Sequence, residues 1–250
     1  MRKYALFGLL LLLIITAEAL ITTHKVASLL LHFVVVFTVL FYIISGKERV
    51  ILPLALPSVL RIVNFSMPVF FPYTVYWFPL VYTPIFASVY IVIRTLGLSA
   101  ADVGFSAKNL HLYIPLGLLT GFLMSLAEFR ILKTEPLVSD LSINSVLTLC
   151  IVMYVFVALA EELVFRSVLQ TCLEKEFGLF IGLLIAALIF GSMHMSYGLS
   201  SFAFALLAGL FIGYVFQKTR SLPFVVAIHG TVNVMVFGIF HFTGTALPLF

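Results

Sequence analysis

Two adjacent carboxylates, Glu161 and Glu162, stand inside an apolar run that begins at Val152 and continues through Leu163, Val164 and Phe165. A carboxylate at mid-membrane costs about 2.5–3.5 kcal/mol on insertion scales, so such a group reads as functional unless a structural partner explains it. Glu162 has that partner. Arg166 follows four residues later, the favourable order for a helical ion pair. Glu161 has none on its own helix, because adjacent helical residues diverge by roughly 100°. The same divergence argues against a proton-sharing dyad of the two glutamates. An unpaired carboxylate at that depth requires water, a proton, a metal ion or a group from another helix.

Suitable groups follow in the chain. Phe190 and His194 are four residues apart, as are His229 and Asn233, so each pair shares a helix face. Taken singly, a histidine near a span end is an interfacial residue, and an intramembrane asparagine is interhelical glue. Taken together, Glu161, His194, His229 and Asn233 bring polar groups from three helices into apolar surroundings. A carboxylate can take a proton from water while histidine holds that water. Histidine and asparagine can donate hydrogen bonds to a developing oxyanion. This set suits hydrolysis of an amide without a covalent intermediate. Glu161, His194 and His229 are also the candidate ligands if zinc is the cofactor. They lack metal-specific spacing, so zinc and no cofactor both stay open. There is no H-E-x-x-H zinc helix and no G-x-S-x-G nucleophile. The two aspartates, Asp102 and Asp140, fall in connections, which leaves an aspartyl dyad unsupported.

The elements carrying these residues follow from composition. Hydrophobic residues make up 63% of the 250 and charged residues 10%, with a mean hydropathy of +1.22. A soluble domain is about half apolar and about a quarter charged. Solubility and disorder are both excluded. The expectation is an all-α polytopic membrane protein, a bundle of about eight to nine transmembrane helices in contact with lipid. In a prokaryote it would sit in the cell membrane. Candidate spans lie near 4–21, 27–45, 50–67, 74–95, 111–129, 144–172, 178–196, 200–217 and 222–243. Pro53, Pro57 and Arg61 interrupt the third, which reads as broken or re-entrant.

The net charge of +4 reports loop asymmetry, not a nucleic-acid partner. With nine spans and an inward N-terminus, Arg2, Lys3, Lys47, Arg49, Arg94, Lys108, Lys175, Lys218 and Arg220 share the cytoplasmic side. Lys25, Arg130 and Lys133 fall outside. The segment around Ala17-Glu18-Ala19 resembles a signal-peptide cleavage site, although an uncleaved first helix is the expected state. The domain reading is N-terminal helices over 1–96, a connecting loop at 97–110, a catalytic bundle over 111–243 and a tail at 244–250. Cys150 and Cys172 read as small buried residues. Gly117 with Gly121, and Ala205 with Gly209 and Gly213, read as close-packing faces. Glu18, Arg61, Glu128, His24, His32, His111 and His241 receive no chemistry, and His32 stands alone on an apolar helix.

Three motifs now carry a resemblance. Glu161-Glu162-Leu163-Val164-Phe165-Arg166 is similar to the E-E-x-x-x-R motif of the CAAX prenyl protease type 2 and bacteriocin-processing family, also called the Abi or CPBP family. Phe190 to His194 matches its F-x-x-x-H motif, and His229 to Asn233 its H-x-x-x-N motif. Order and placement agree over roughly residues 110–243. The resemblance implies an intramembrane endopeptidase with Glu161 as general base and His194 as water ligand. His229 and Asn233 would serve the oxyanion, with Glu162, Arg166 and Phe190 in support. It implies a peptide substrate; eukaryotic members remove the last three residues of prenylated C-a-a-X proteins. Family mechanisms with and without metal have both been argued. The alternative is a non-proteolytic transporter or an immunity scaffold on the same helical core, since membrane carboxylates with histidines also serve proton relays.

Overall fold

The computed structural model describes residues 2–46, 49–66, 74–132 and 134–243. Lys47, Lys133 and the 244–250 tail lie outside the described residues, as do the side chains of Arg2 and Lys3. Nine helices appear in chain order and no strand occurs among the described residues: α1 (Arg2–Leu20), α2 (Lys25–Ile44), α3 (Ala55–Ser66), α4 (Phe78–Leu96), α5 (Leu110–Ile131), α6 (Ile143–Phe177), α7 (Leu179–Ser192), α8 (Leu199–Thr219) and α9 (Leu222–Phe242). They follow the nine apolar runs of the sequence. Six are long and apolar enough to cross a membrane: α2, α4 with its leading turn, α5, α6, α8 and α9. The protein is therefore an integral, multi-pass membrane protein.

The interrupted third run is a 3₁₀ segment, Arg49–Leu54, leading into the twelve residues of α3. Pro53 lies within the 3₁₀ segment, where it cannot donate to a regular ladder. One apolar core extends from Phe7 and Leu10 in α1 to Ile228 and Val234 in α9.

Close approach of α5 to α9 depends on two glycines. A methyl group added at Gly121 would stand 2.4 Å from the Ile228 carbonyl oxygen, and one at Gly117 would stand 2.7 Å from the Ala227 Cβ. On the far side of α9, Gly230 lies against the Tyr154 ring, and the Tyr154 hydroxyl is 2.7 Å from Thr231 Oγ1. Thus α9 is clamped between α5 and α6, and it is the most buried of the six spanning helices.

One end of the bundle gathers basic residues. Lys175 pairs with Asp102 at 2.5 Å, Arg220 with Glu174, and Arg49 donates to the Thr95 carbonyl at 2.7 Å. Lys175 and the Ser99 backbone N–H hold the Asp102 carboxyl down at about 2. The 97–110 connection is strapped to this end: Ser167 donates to Val103 O, and the Leu222 N–H donates to Gly104 O at 2.8 Å. Arg130 and the 134–142 connection occupy the opposite end, where the Leu137 N–H donates to Phe237 O. This segregation is the arrangement that the charge asymmetry of the sequence anticipates.

Candidate active site

Helix α6 is 35 residues long, about 50 Å at 1.5 Å per residue, and Glu161 lies next to its midpoint. It is not uniform. Backbone hydrogen bonding widens to π turns over Val152–Ala158 and Leu163–Gln170, on both sides of the regular segment Leu159–Glu162. Such turns are rare and concentrate at functional positions. Here they flank the paired glutamates.

Depth is matched by the hairpin geometry. Gly178 turns the chain from α6 into α7 with φ +85°, a conformation that favours glycine. Glu161 lies seventeen residues before that turn and His194 sixteen after it, so both reach about 24–26 Å up the bundle. Likewise, Ser167 and Leu222 bind adjacent carbonyls of the 97–110 connection, six residues from Glu161 and seven from His229. Equal spacing from shared levels brings the three motifs together.

Glu161, His194, His229 and Asn233 all line one cavity of about 570 Å³. That volume is in the ordinary range for a ligand site. Much of the wall is apolar, with Phe78, Met124, Met153, Phe204 and Phe237 among its residues. Glu161 is half-buried, whereas His229 and Asn233 are buried.

The sequence-level division between the glutamates holds in space, with an addition. Glu162 is fully buried and its Oε1 accepts from Arg166 at 2.9 Å, as the spacing predicts. The same oxygen accepts from His229 Nδ1 at 2.7 Å. Because a carboxylate cannot donate, Nδ1 carries the proton, and the ring's Nε2 is directed to the other glutamate, 3.8 Å from Glu161 Oε2. His229 therefore bridges the two carboxylates that their own helix points apart.

Glu161 receives a partner that sequence reasoning missed. Tyr82, from α4, donates its hydroxyl to Glu161 Oε1 at 2.7 Å. A buried tyrosine in an apolar helix gives no local signal. Only the need of Glu161 for a donor from another helix pointed to such a group.

Helix α7 ends at Ser192, so His194 lies in the turn beyond it and not on the helix proper. It still keeps the register of Phe190: His194 Nδ1 donates to the Phe190 carbonyl at 3.0 Å, which leaves Nε2 as the second ring nitrogen of the pair. Phe190 is the packing hub. The Arg166 guanidinium stacks 4.1 Å from its centroid, and the His194 and His229 rings lie 5.0 and 6.0 Å away.

Arg61 and Glu128, assigned no chemistry from sequence, also line the cavity. His32 is not alone: its Nδ1 is 3.1 Å from Ser58 Oγ and its Nε2 is 3.3 Å from Glu18 Oε1. The isolation read from sequence fails because its partners come from α1 and α3. His241, near the opposite end, stacks edge-on against Phe129 at 5.1 Å. Among the described residues, no three His, Cys, Asp or Glu side chains are grouped closely enough to hold a metal ion. The set Glu161, His194 and His229 thus does not fit a zinc centre as placed.

The fold and the cavity are those of a polytopic helical membrane protein with polar groups gathered in a largely apolar cavity. Residues 143–235, from the start of α6 into α9, match the family model for type II CAAX prenyl endopeptidase Rce1-like proteins, so the resemblance carried by the three motifs holds over that segment. No curated protein and no solved structure matches the chain. Tyr82 and Arg61 lie outside the matched residues.

Proposed function

We propose that the protein is an intramembrane endopeptidase in which Glu161 activates water against a peptide carbonyl. The observation that carries this reading is the convergence of Glu161, His194, His229 and Asn233 on one largely apolar cavity. Water between Glu161 and His194 gives up a proton to the carboxylate, while His194 Nε2, its Nδ1–H already committed to Phe190, accepts and orients the second hydrogen. Attack on the carbonyl carbon makes a tetrahedral oxyanion. Asn233 donates its amide N–H to that oxygen, and His229, when doubly protonated, adds its Nε2–H. Glu161 then returns the proton to the leaving amine, and the C–N bond breaks. Glu162 and Arg166 hold His229 and the helix beneath it.

The substrate class in this proposal is an extended peptide joined to an apolar group, as in a prenylated C-a-a-X terminus. The apolar wall supports that choice. Purified protein in lipid nanodiscs, offered prenylated C-a-a-X peptides and unprenylated controls, tests it by product mass spectrometry. Glu161→Gln keeps the size and removes the base, so turnover should collapse while the peptide still binds. Full proteolysis by folded Glu161→Gln protein overturns the assignment. Metal analysis of the active preparation divides the metal-dependent and metal-free forms: stoichiometric zinc, lost in His194→Ala and His229→Ala, supports the former.

A further inference from the structure

Among the described residues outside the motif-bearing helices, a further cluster of charge lies in the membrane interior. Glu18 of α1, His32 of α2, and Ser58 and Arg61 of α3 are all buried, Glu18, His32 and Ser58 completely. Arg61 Nε donates to Glu18 Oε1 at 2.9 Å, and one terminal nitrogen lies 2.7 Å from Glu18 Oε2. That same nitrogen donates to the Met193 carbonyl at 2.5 Å. Phe65 flanks the guanidinium at 5.3 Å.

The Met193 carbonyl has a special position. It lies just past the end of α7, where helix carbonyls lose their intrahelical partners. No turn N–H among the described residues takes it; the neighbouring turn bonds use Ile189, Gly191, His194 and Met195. A cation there also complements the negative end of the helix dipole. Met193 is joined directly to His194, whose ring is fixed by the Phe190 carbonyl one turn back. Both anchors of His194 are thus orphan carbonyls at the end of α7. One is satisfied by the histidine, the other by Arg61.

We infer that Arg61, held by Glu18, is a positioning residue that caps α7 and sets the place of His194 in the cavity. The inference rests on the proposed role of His194 and extends the working site to the three N-terminal helices. The planar fork of arginine matters. It binds Glu18 with two nitrogens and the carbonyl with one of them, which a lysine ammonium cannot reproduce. His32 of α2 completes the cluster: its Nε2 lies 3.3 Å from Glu18 Oε1, and its Nδ1 is 3.1 Å from Ser58 Oγ of α3.

The test uses full-length protein in nanodiscs with Arg61→Lys and, as a milder second variant, Glu18→Gln. Size-exclusion chromatography and thermal unfolding establish that each is folded. Peptidase assays should show kcat lowered about 10- to 100-fold with KM within about twofold, the signature of a displaced catalytic group with substrate contacts kept. The second readout is ¹⁵N NMR of histidine-labelled protein, with His194→Gln used for assignment. The ring resonances of His194 should shift in both variants while those of His229 stay in place. That measurement needs no turnover, so a failure of the peptidase reading and a failure of this inference are distinguishable. Unchanged His194 resonances in folded Arg61→Lys protein would overturn the inference. So would an unchanged kcat in a protein that cleaves peptide.

Discussion

Glu162 can be perturbed in a way that separates its two duties. Its Oε1 takes hydrogen bonds from Arg166 at 2.9 Å and from His229 at 2.7 Å, one structural and one directed to the cavity. Arg166→Met leaves a buried carboxylate without its cation, which costs about 3–5 kcal/mol. Glu162→Gln leaves Arg166 unpaired instead, but the Phe190 ring at 4.1 Å offsets up to about 2 kcal/mol of that. The single Glu162→Gln variant should therefore lose about 1–3 kcal/mol of stability. In the double variant the charge is removed from both sides, and stability should recover by about 0.5–3 kcal/mol relative to the sum of the singles. Catalysis should not recover. The charged bond that holds His229 is worth about 1.5–3 kcal/mol, or about 10- to 150-fold in rate, and neither replacement restores it. Unfolding in micelles and kcat on a labelled peptide measure the two cycles. Recovery of both stability and rate in the double variant would sink the argument that Glu162 acts through His229.

Three further outcomes are expected. Asn233→Ala should lower kcat by about 10²–10³ if its amide serves the oxyanion, read from initial rates at saturating peptide. Gly121→Ala should cost about 1–3 kcal/mol, because the methyl meets the Ile228 carbonyl oxygen at 2.4 Å and backbone cannot rotate away; thermal unfolding measures it. Cysteines placed at Lys175 and Asp140 should label with membrane-impermeant maleimide from opposite sides, Lys175 from the cytoplasm, and labelling from one side would break the span assignment.

The helices were readable because each is an apolar run bounded by charge, glycine or proline. The four cavity residues were readable because polar groups in lipid need a reason. Helical angles separated Glu161 from Glu162 correctly, since Leu159–Glu162 is regular. The π turns on either side were invisible to periodicity, because no residue type marks them. The bond from His229 to Glu162 was also out of reach, since it joins motifs 67 residues apart and depends on how α9 rotates against Tyr154. Glu18, His32 and Arg61 each looked ambiguous alone. Their signal was collective: one acid, one base and one imidazole on three consecutive apolar segments can satisfy one another only by meeting.

The bridge from His229 back to Glu162 has a consequence for biogenesis. Helices enter the membrane in the order of synthesis, and the partner of Glu162 is made 67 residues after it. At ribosomal speeds of about 5–20 residues per second, that interval is about 3–13 s. During it, α6 must reside in the bilayer with Arg166 as the glutamate's local companion, and Tyr82, already inserted, can shelter Glu161. Until α9 slides between α5 and α6, the cavity lacks His229 and Asn233, the groups proposed to serve the oxyanion. On the proposed reading, a nascent chain arrested before His229 should therefore be inserted yet hydrolytically silent.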